Sequence, residues 1–198
     1  ISWHLKWLLN HQERASFLTE DQKSDYINNL KEVFKHIDKK TIINFELSGC
    51  WFFHKVGLIS FFKNDDPDSQ IIYIEKYDSY KKLVQLRYFS RKIGHEHFTV
   101  DGRDIIPVFA KNISHDFLGH ELVIERRAWF NIGDGIKLNF KLGDVLTRLS
   151  LGGKQSTSGI AISDVVKHFT ATIPNYKKTH KYTGSWLLMD RDTQAEDN

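Results

Sequence analysis

The sequence predicts a mainly β fold, an antiparallel β-sandwich of the Ig-like kind behind an N-terminal helical segment. Three observations carry this. The apolar period changes from 3.6 to 2 residues near Thr41. About eight candidate strands then follow, roughly 8–14 residues apart. No long helical pattern separates them, which argues against a parallel α/β sheet.

The helical segment is read over residues 1–40. Trp3, Trp7 and Leu8 share a face. Thr19 and Gln22 form a capping box, in which hydroxyl and amide satisfy free backbone N–H groups reciprocally. Tyr26, Leu30, Val33 and Ile37 make a stripe widened by Ile27 and Phe34, and Lys35, Lys39 and Lys40 crowd the far end, where the helix dipole favours cations.

From there the expected strands are Ile42–Leu47, Trp51–His54, Val56–Lys63, Gln70–Tyr77, Leu83–Phe89, Phe98–Val100, Arg103–Ile106, His120–Ile132 and Ile136–Leu142. Asn64–Ser69 and Asp101-Gly102 supply turn signals. Ile136, Leu138, Phe140 and Leu142 alternate with polar neighbours, so one face is buried and one wet. Ser163–Thr170 reads as a short helix, and Trp186–Met189 as a last buried strand.

The chain has 198 residues, 40% hydrophobic and 13% aromatic, enough to bury a full core. Its 28 Lys and Arg against 25 Asp and Glu leave a net charge of +3, which permits an anionic partner without demanding one. No recognition motif or dense basic stripe marks a nucleic-acid binder. The single cysteine, Cys50, cannot form an internal disulfide, so a reducing, cytoplasmic setting is expected. No apolar run nears the ~18 residues that cross a bilayer.

Catalytic motifs fail on spacing. A zinc protease needs His-Glu followed three residues later by a second His. Thr99 stands there after His95-Glu96, and Ile124 after His120-Glu121. Gly152-Gly153-Lys154 lacks the earlier Gly and the following Ser or Thr of a phosphate loop, so Gly152–Gly159 reads as a flexible loop. Nothing beside Cys50 would activate a nucleophile. Neither catalytic residues, metal ligands nor cofactors are therefore assigned.

The most suggestive surface is Tyr73–Lys92. There Tyr73, Tyr77, Tyr80 and Tyr88 interleave with Lys76, Lys81, Lys82, Arg87, Arg91 and Lys92. Aromatic faces stack on sugars and cations match phosphate. Of Arg126-Arg127, only one can join that face on a regular strand.

The segment Ser185–Asn198, SWLLMDRDTQAEDN, closely resembles the opening of the transferase module of CDP-glycerol glycerophosphotransferase-like proteins, the teichoic-acid and capsule polymerases of bacteria. That family's catalytic histidines come later in its motif, and no histidine here matches them. The resemblance implies a segment of a longer protein. Residues 1–40 would be the tail of a preceding glycosyltransferase domain, 41–183 a β-sandwich accessory module and 184–198 the start of the next transferase domain. It implies a non-catalytic spacer or polymer-contacting module. Its partners would be neighbouring catalytic domains of the same chain and an anionic polysaccharide. The parent would lie at the inner face of the membrane and could be oligomeric. The alternatives are a stand-alone carbohydrate-binding module, which would show an exposed row of Tyr73, Tyr77 and Trp51, and a small metal-dependent hydrolase using His95, His97, His115 or His120.

Overall fold

The structure is a computed structural model, and it describes residues 2–47, 49–94 and 96–171. The Ser185–Asn198 motif and the expected strand Trp186–Met189 lie outside the described residues.

The helical region runs α1 (Ser2–Leu8), a 3₁₀ turn at Gln12–Ala15, α2 (Glu20–Lys35), α3 (Lys39–Asn44) and α4 (Phe52–Phe62). The capping box of α2 is present: the Thr19 hydroxyl accepts from Gln22 N–H at 3.2 Å and the Gln22 side chain accepts from Thr19 N–H at 2.9 Å. Its buried stripe is Ile27, Leu30 and Phe34, while Val33, expected inside, faces water.

Two expected strand regions are helices instead. The first half of Ile42–Leu47 falls in α3, which starts because the Asp38 carboxylate accepts from Thr41 N–H at 2.7 Å. Trp51–His54 and Val56–Lys63 form α4. This helix is buried almost all round, with Val56 and Ile59 fully enclosed. A helix without a wet side carries no 3.6-residue alternation, so its apolar run reads as a buried strand.

The sheets begin at β1 (Ser69–Asp78) and continue through β2 (Leu83–Ser90), β3 (Glu96–Val100), β4 (Arg103–Asp104), β5 (Pro107–Phe117) and β6 (His120–Asn131). They end with β7 (Lys137–Leu142), β8 (Leu146–Leu151), β9 (Lys154–Ser156) and β10 (Ile160–Ala161), before helix α5 (Ile162–Ala171). β5 and β8 were not expected from the pattern, and the loop expected over Gly152–Gly159 contains β9. Asp101 and Gly102 both have positive φ (51° and 77°), as the tight β3–β4 turn requires. Ile136, expected inside, is exposed just ahead of β7.

The fold is mainly β, with two sheets in which antiparallel pairs dominate. One sheet has the order β5-β6-β2-β1-β8-β9 and the other β10-β7-β3-β4. The exception is β1 with β8, which run parallel.

One face of the six-stranded sheet packs on the four-stranded sheet. Ile72, Ile74, Val84, Leu86, Tyr88, Ala128 and Phe130 meet Phe98, Val100, Leu138 and Phe140 there, and Val165 of α5 joins the same core. The opposite face carries helices at one end only. Val56 of α4 packs on Phe89 and Val123, and Leu58, Ile59 and Phe62 share a second core with Phe117 and Leu122.

Gly57 lets α4 approach β6 closely. A Cβ at this position would stand 2.8 Å from Leu122 Cγ. A side chain there must displace the leucine, against a helix-propensity gain of at most ~1 kcal/mol. Gly57→Val should therefore lower the unfolding free energy by about 2 kcal/mol in urea titration. Stability equal to or above the parent would refute the close approach.

Candidate functional site

Strand β2 decides where the expected site residues go, because neighbours along a strand point to opposite faces. Val84, Leu86 and Tyr88 enter the core between the sheets. Gln85, Arg87 and Phe89 therefore face the helix side. Tyr88 is fully buried, and its hydroxyl donates to Glu96 at 2.9 Å. Tyr77 packs against the same core from β1. Neither presents a face to a ligand.

Tyr73 and Arg87 lie together on the helix-side face. The Arg87 guanidinium sits 5.4 Å from the Tyr73 ring and 5.3 Å from that of Phe89, and it pairs with Glu75 at 2.6 Å. Tyr80, Lys81 and Lys82 occupy the β1–β2 turn, where Asp78 accepts from the N–H groups of Tyr80 and Lys81 at 2.9 Å. Tyr80 is 92% exposed, and Lys82 pairs with Asp134. Arg91 and Lys92 follow the other end of β2; Arg91 contacts Asn64. These nine residues thus divide among the inner core, one sheet face and both ends of β2.

The strand argument about Arg126-Arg127 holds. Arg126 turns inward and makes a two-pronged bond to Glu96, at 2.9 and 2.8 Å. Arg127 faces the helix side and pairs with Glu125.

On that side the register assembles a surface of which pattern reading named only Tyr73, Lys76 and Arg87, with Arg127 as a candidate addition. Phe109 pairs with Trp129, Trp129 with Gln85, and Gln85 with Lys76, which forms one row across four strands. The next row is Lys111, Arg127, Arg87 and Tyr73. Phe109 is 51% exposed and Lys76 is exposed, while Trp129 is half-buried. Gln85 is buried, yet its Oε1 has no hydrogen-bond partner among the described residues. Rings, cations and an amide acceptor therefore share one sheet face.

Where α4 covers this face, a polar chain ties the two layers. Asn10 N–H donates to Asp116 O, and Asn10 Oδ1 accepts from Asp116 N–H, both at 2.8 Å. Asn10 Nδ2 then donates to His115 Nδ1 at 3.0 Å, and His115 Nε2 reaches Glu125 at 2.9 Å. Because an amide nitrogen can only donate, His115 carries its proton on Nε2 and gives it to the carboxylate. Both ring nitrogens are committed, so this His–Glu pair is a structural tie. Burial opposes ionisation of Glu125, but the bonds from His115 and Arg127, with the charges of Arg127 and Arg87, hold its pKa at about 2.

His54, in the first turn of α4, is 4% exposed, with Nδ1 accepting from Trp51 N–H at 2.9 Å. Burial, then the charges of Lys6 and His115, press its pKa from 6.5 to about 4. Burial also raises the Cys50 thiol, against the weaker pull of Lys55 and Lys6.

For the alternatives, Tyr73 and Tyr77 are half-buried on opposite faces of β1, so they form no row with the exposed Trp51. His97 pairs with Asp104 at 3.0 Å, His115 with Glu125, and His120 stands against Phe61. His95 lies outside the described residues. Among the described residues no group of three or more His, Cys, Asp or Glu gathers as a metal site. No helix among them is long and apolar enough to cross a membrane. Comparison with family profiles, with curated proteins and with solved structures finds no match for this chain.

The depressed His54 pKa has a signed consequence. Below pH 6.5 the unfolded chain takes up a proton that the folded chain refuses until about pH 4. Stability should fall across that window by about 3 kcal/mol, with a further loss from pH 4.5 to 2 as Glu125 is protonated. Thermal unfolding against pH checks this, and His54→Asn should flatten the first window. An unchanged slope in that variant would refute the assignment.

Proposed function

We propose that this chain is a non-catalytic spacing and polymer-contacting module of a bacterial surface-polysaccharide polymerase, of the glycosyl- or glycerophosphotransferase type that makes capsule or teichoic acid. The observation that supports polymer contact is the open sheet face on which Phe109 and Trp129 lie in line with Lys76 and beside Arg87 and Arg127. Rings stack on the carbon faces of sugars or glycerol, and cations attract phosphodiesters. The unpartnered Gln85 oxygen suits a hydroxyl donor. The resemblance of Ser185–Asn198 to the transferase opening supplies the wider context: neighbouring catalytic domains as partners, and a cytoplasmic parent at the membrane face. The spacing role rests on one sheet shared by two cores, which couples the helical region to the β region. The Ig-like sandwich stays part of this proposal as an architectural comparison, the parallel β1–β8 pair being a departure from it.

Titration of the protein with poly(glycerol phosphate) tests the contact role. The Phe109→Ala/Lys76→Glu double variant should bind about tenfold more weakly at low salt, and the difference should shrink as salt screens the charge. Lys141→Ala, on the exposed side of β7, should leave binding unchanged. Unaltered affinity in the double variant would remove the contact role. Equal binding of an uncharged glucan would favour a carbohydrate-binding module acting alone.

A further inference from the structure

The cations at the far end of β2 belong to a different surface from the sheet face. Arg91 and Lys92 line an open cleft of about 860 Å³ together with Lys31 of α2, Ser60 and Phe61 of α4, and His120 of β6. Phe61 is held between two of these groups: Lys31 Nζ lies 5.6 Å from its ring centre, and the His120 ring 5.9 Å. Among the described residues no carboxylate pairs with Lys31, Arg91 or Lys92, whereas Lys39 nearby is bound to Asp65 and Asp68. One carboxylate, Glu121, also lines the cleft, and Asp65 and Asp66 line the adjoining hollow of about 320 Å³.

A second observation is independent of charge. Ser60 lines the cleft and is 1% exposed, and its hydroxyl, buried beneath the cleft surface, has no hydrogen-bond partner among the described residues. A buried hydroxyl without a partner costs stability unless something that enters the cleft satisfies it. The backbone carbonyl one turn earlier in a helix is the usual outlet for a serine, and no such bond is made here.

We propose that this cleft is a binding site for a compact phosphate anion of charge −2 or more, such as a phosphomonoester or diphosphate terminus. Lys31, Arg91 and Lys92 supply the charge complement, the Arg91 guanidinium the forked donor that fits phosphate oxygens, and Ser60 a hydroxyl donor at the floor. Three cations against Glu121 leave the cleft itself a surplus that suits a dianion, while Asp65 and Asp66 face the adjoining hollow that Arg91 and Lys92 also line. The site stands apart from the sheet face, whose residues do not line it. It therefore deepens the polymer-contact reading, since a chain end bearing a terminal phosphate could seat here while its units lie on the sheet, but it does not need that reading to hold.

Calorimetric titration of the whole chain with inorganic pyrophosphate, with sulfate as the comparison anion, tests it. Pyrophosphate should bind at least tenfold more tightly than sulfate. Arg91→Ala and Lys31→Ala should each weaken it about tenfold, and Ser60→Ala a few-fold with the unfolding temperature not lowered. Lys81→Ala/Lys82→Ala, at the opposite end of β2, should change nothing. Absence of binding, equal affinity for sulfate, or parental affinity in both Arg91→Ala and Lys31→Ala would overturn the site. The Phe109→Ala/Lys76→Glu variant should retain pyrophosphate binding. A parent chain that binds pyrophosphate but not poly(glycerol phosphate) thus counts against the sheet face alone, and one that binds the polymer but not pyrophosphate counts against the cleft alone.

Discussion

The structure depends on covering one sheet unequally. The six-stranded sheet has two faces that are apolar at one end, and a sheet with two greasy faces needs a layer on each. The four-stranded sheet supplies the first layer and α4 the second. An eleven-residue helix spans only ~16 Å, about five strand residues, so α4 cannot cover strands of ten to twelve residues. The remainder of the face must tolerate water. That accounts for the change along β6, from Val123 beneath α4 to Arg127 and half-buried Trp129 beyond it.

The boundary between covered and open halves is where polar groups are hardest to place. Glu125 sits there at 4% exposure, and an unpaired carboxylate at such depth would cost several kcal/mol. His115 and Arg127 pair it from either side. Asn10 then connects this pair to the helical region, and its positive φ of 59° lets the backbone and side chain both bond Asp116 on edge strand β5. One asparagine thereby blunts an exposed sheet edge and fixes the helices against the sheet. The coupling of layers is polar and directional at this point, and apolar beneath α4.

Legibility in the sequence followed burial asymmetry. The α2 capping box, the Asp101-Gly102 turn and β7 were readable because each had a wet side or a turn residue of defined chemistry. Helix α4 was not, because it lacks a wet side, and β5 was not, because an edge strand with polar residues on both faces alternates poorly. The candidate site was half legible. Tyrosines interleaved with cations along Tyr73–Lys92 do mark a strand pair, but period 2 sends Tyr88 and Arg87 to opposite faces. Phe109, Trp129 and Gln85 join Arg87 only through cross-strand register, which nothing local in the chain announces.

Register also explains why the cations of β2 cannot act as one patch. Arg87 lies mid-strand on the helix-side face, tied to Glu75, whereas Arg91 and Lys92 lie past the strand end beside the turn that follows α4. Between them Phe89 is sealed by α4, an apolar wall that excludes solvent and ligand alike. A polymer lying on the open face therefore meets charge partly neutralised by Glu75 and Glu125, and its hold there must come largely from ring contact. The cleft offers the reverse balance, with three cations that no carboxylate pairs among the described residues and one ring already occupied by Lys31 and His120. Salt should act on the two surfaces unequally, because screening weakens unmatched exposed charge far more than it weakens stacking on the half-buried Trp129 indole. The helix that divides the face is thus what gives one β-rich module two surfaces of different chemistry.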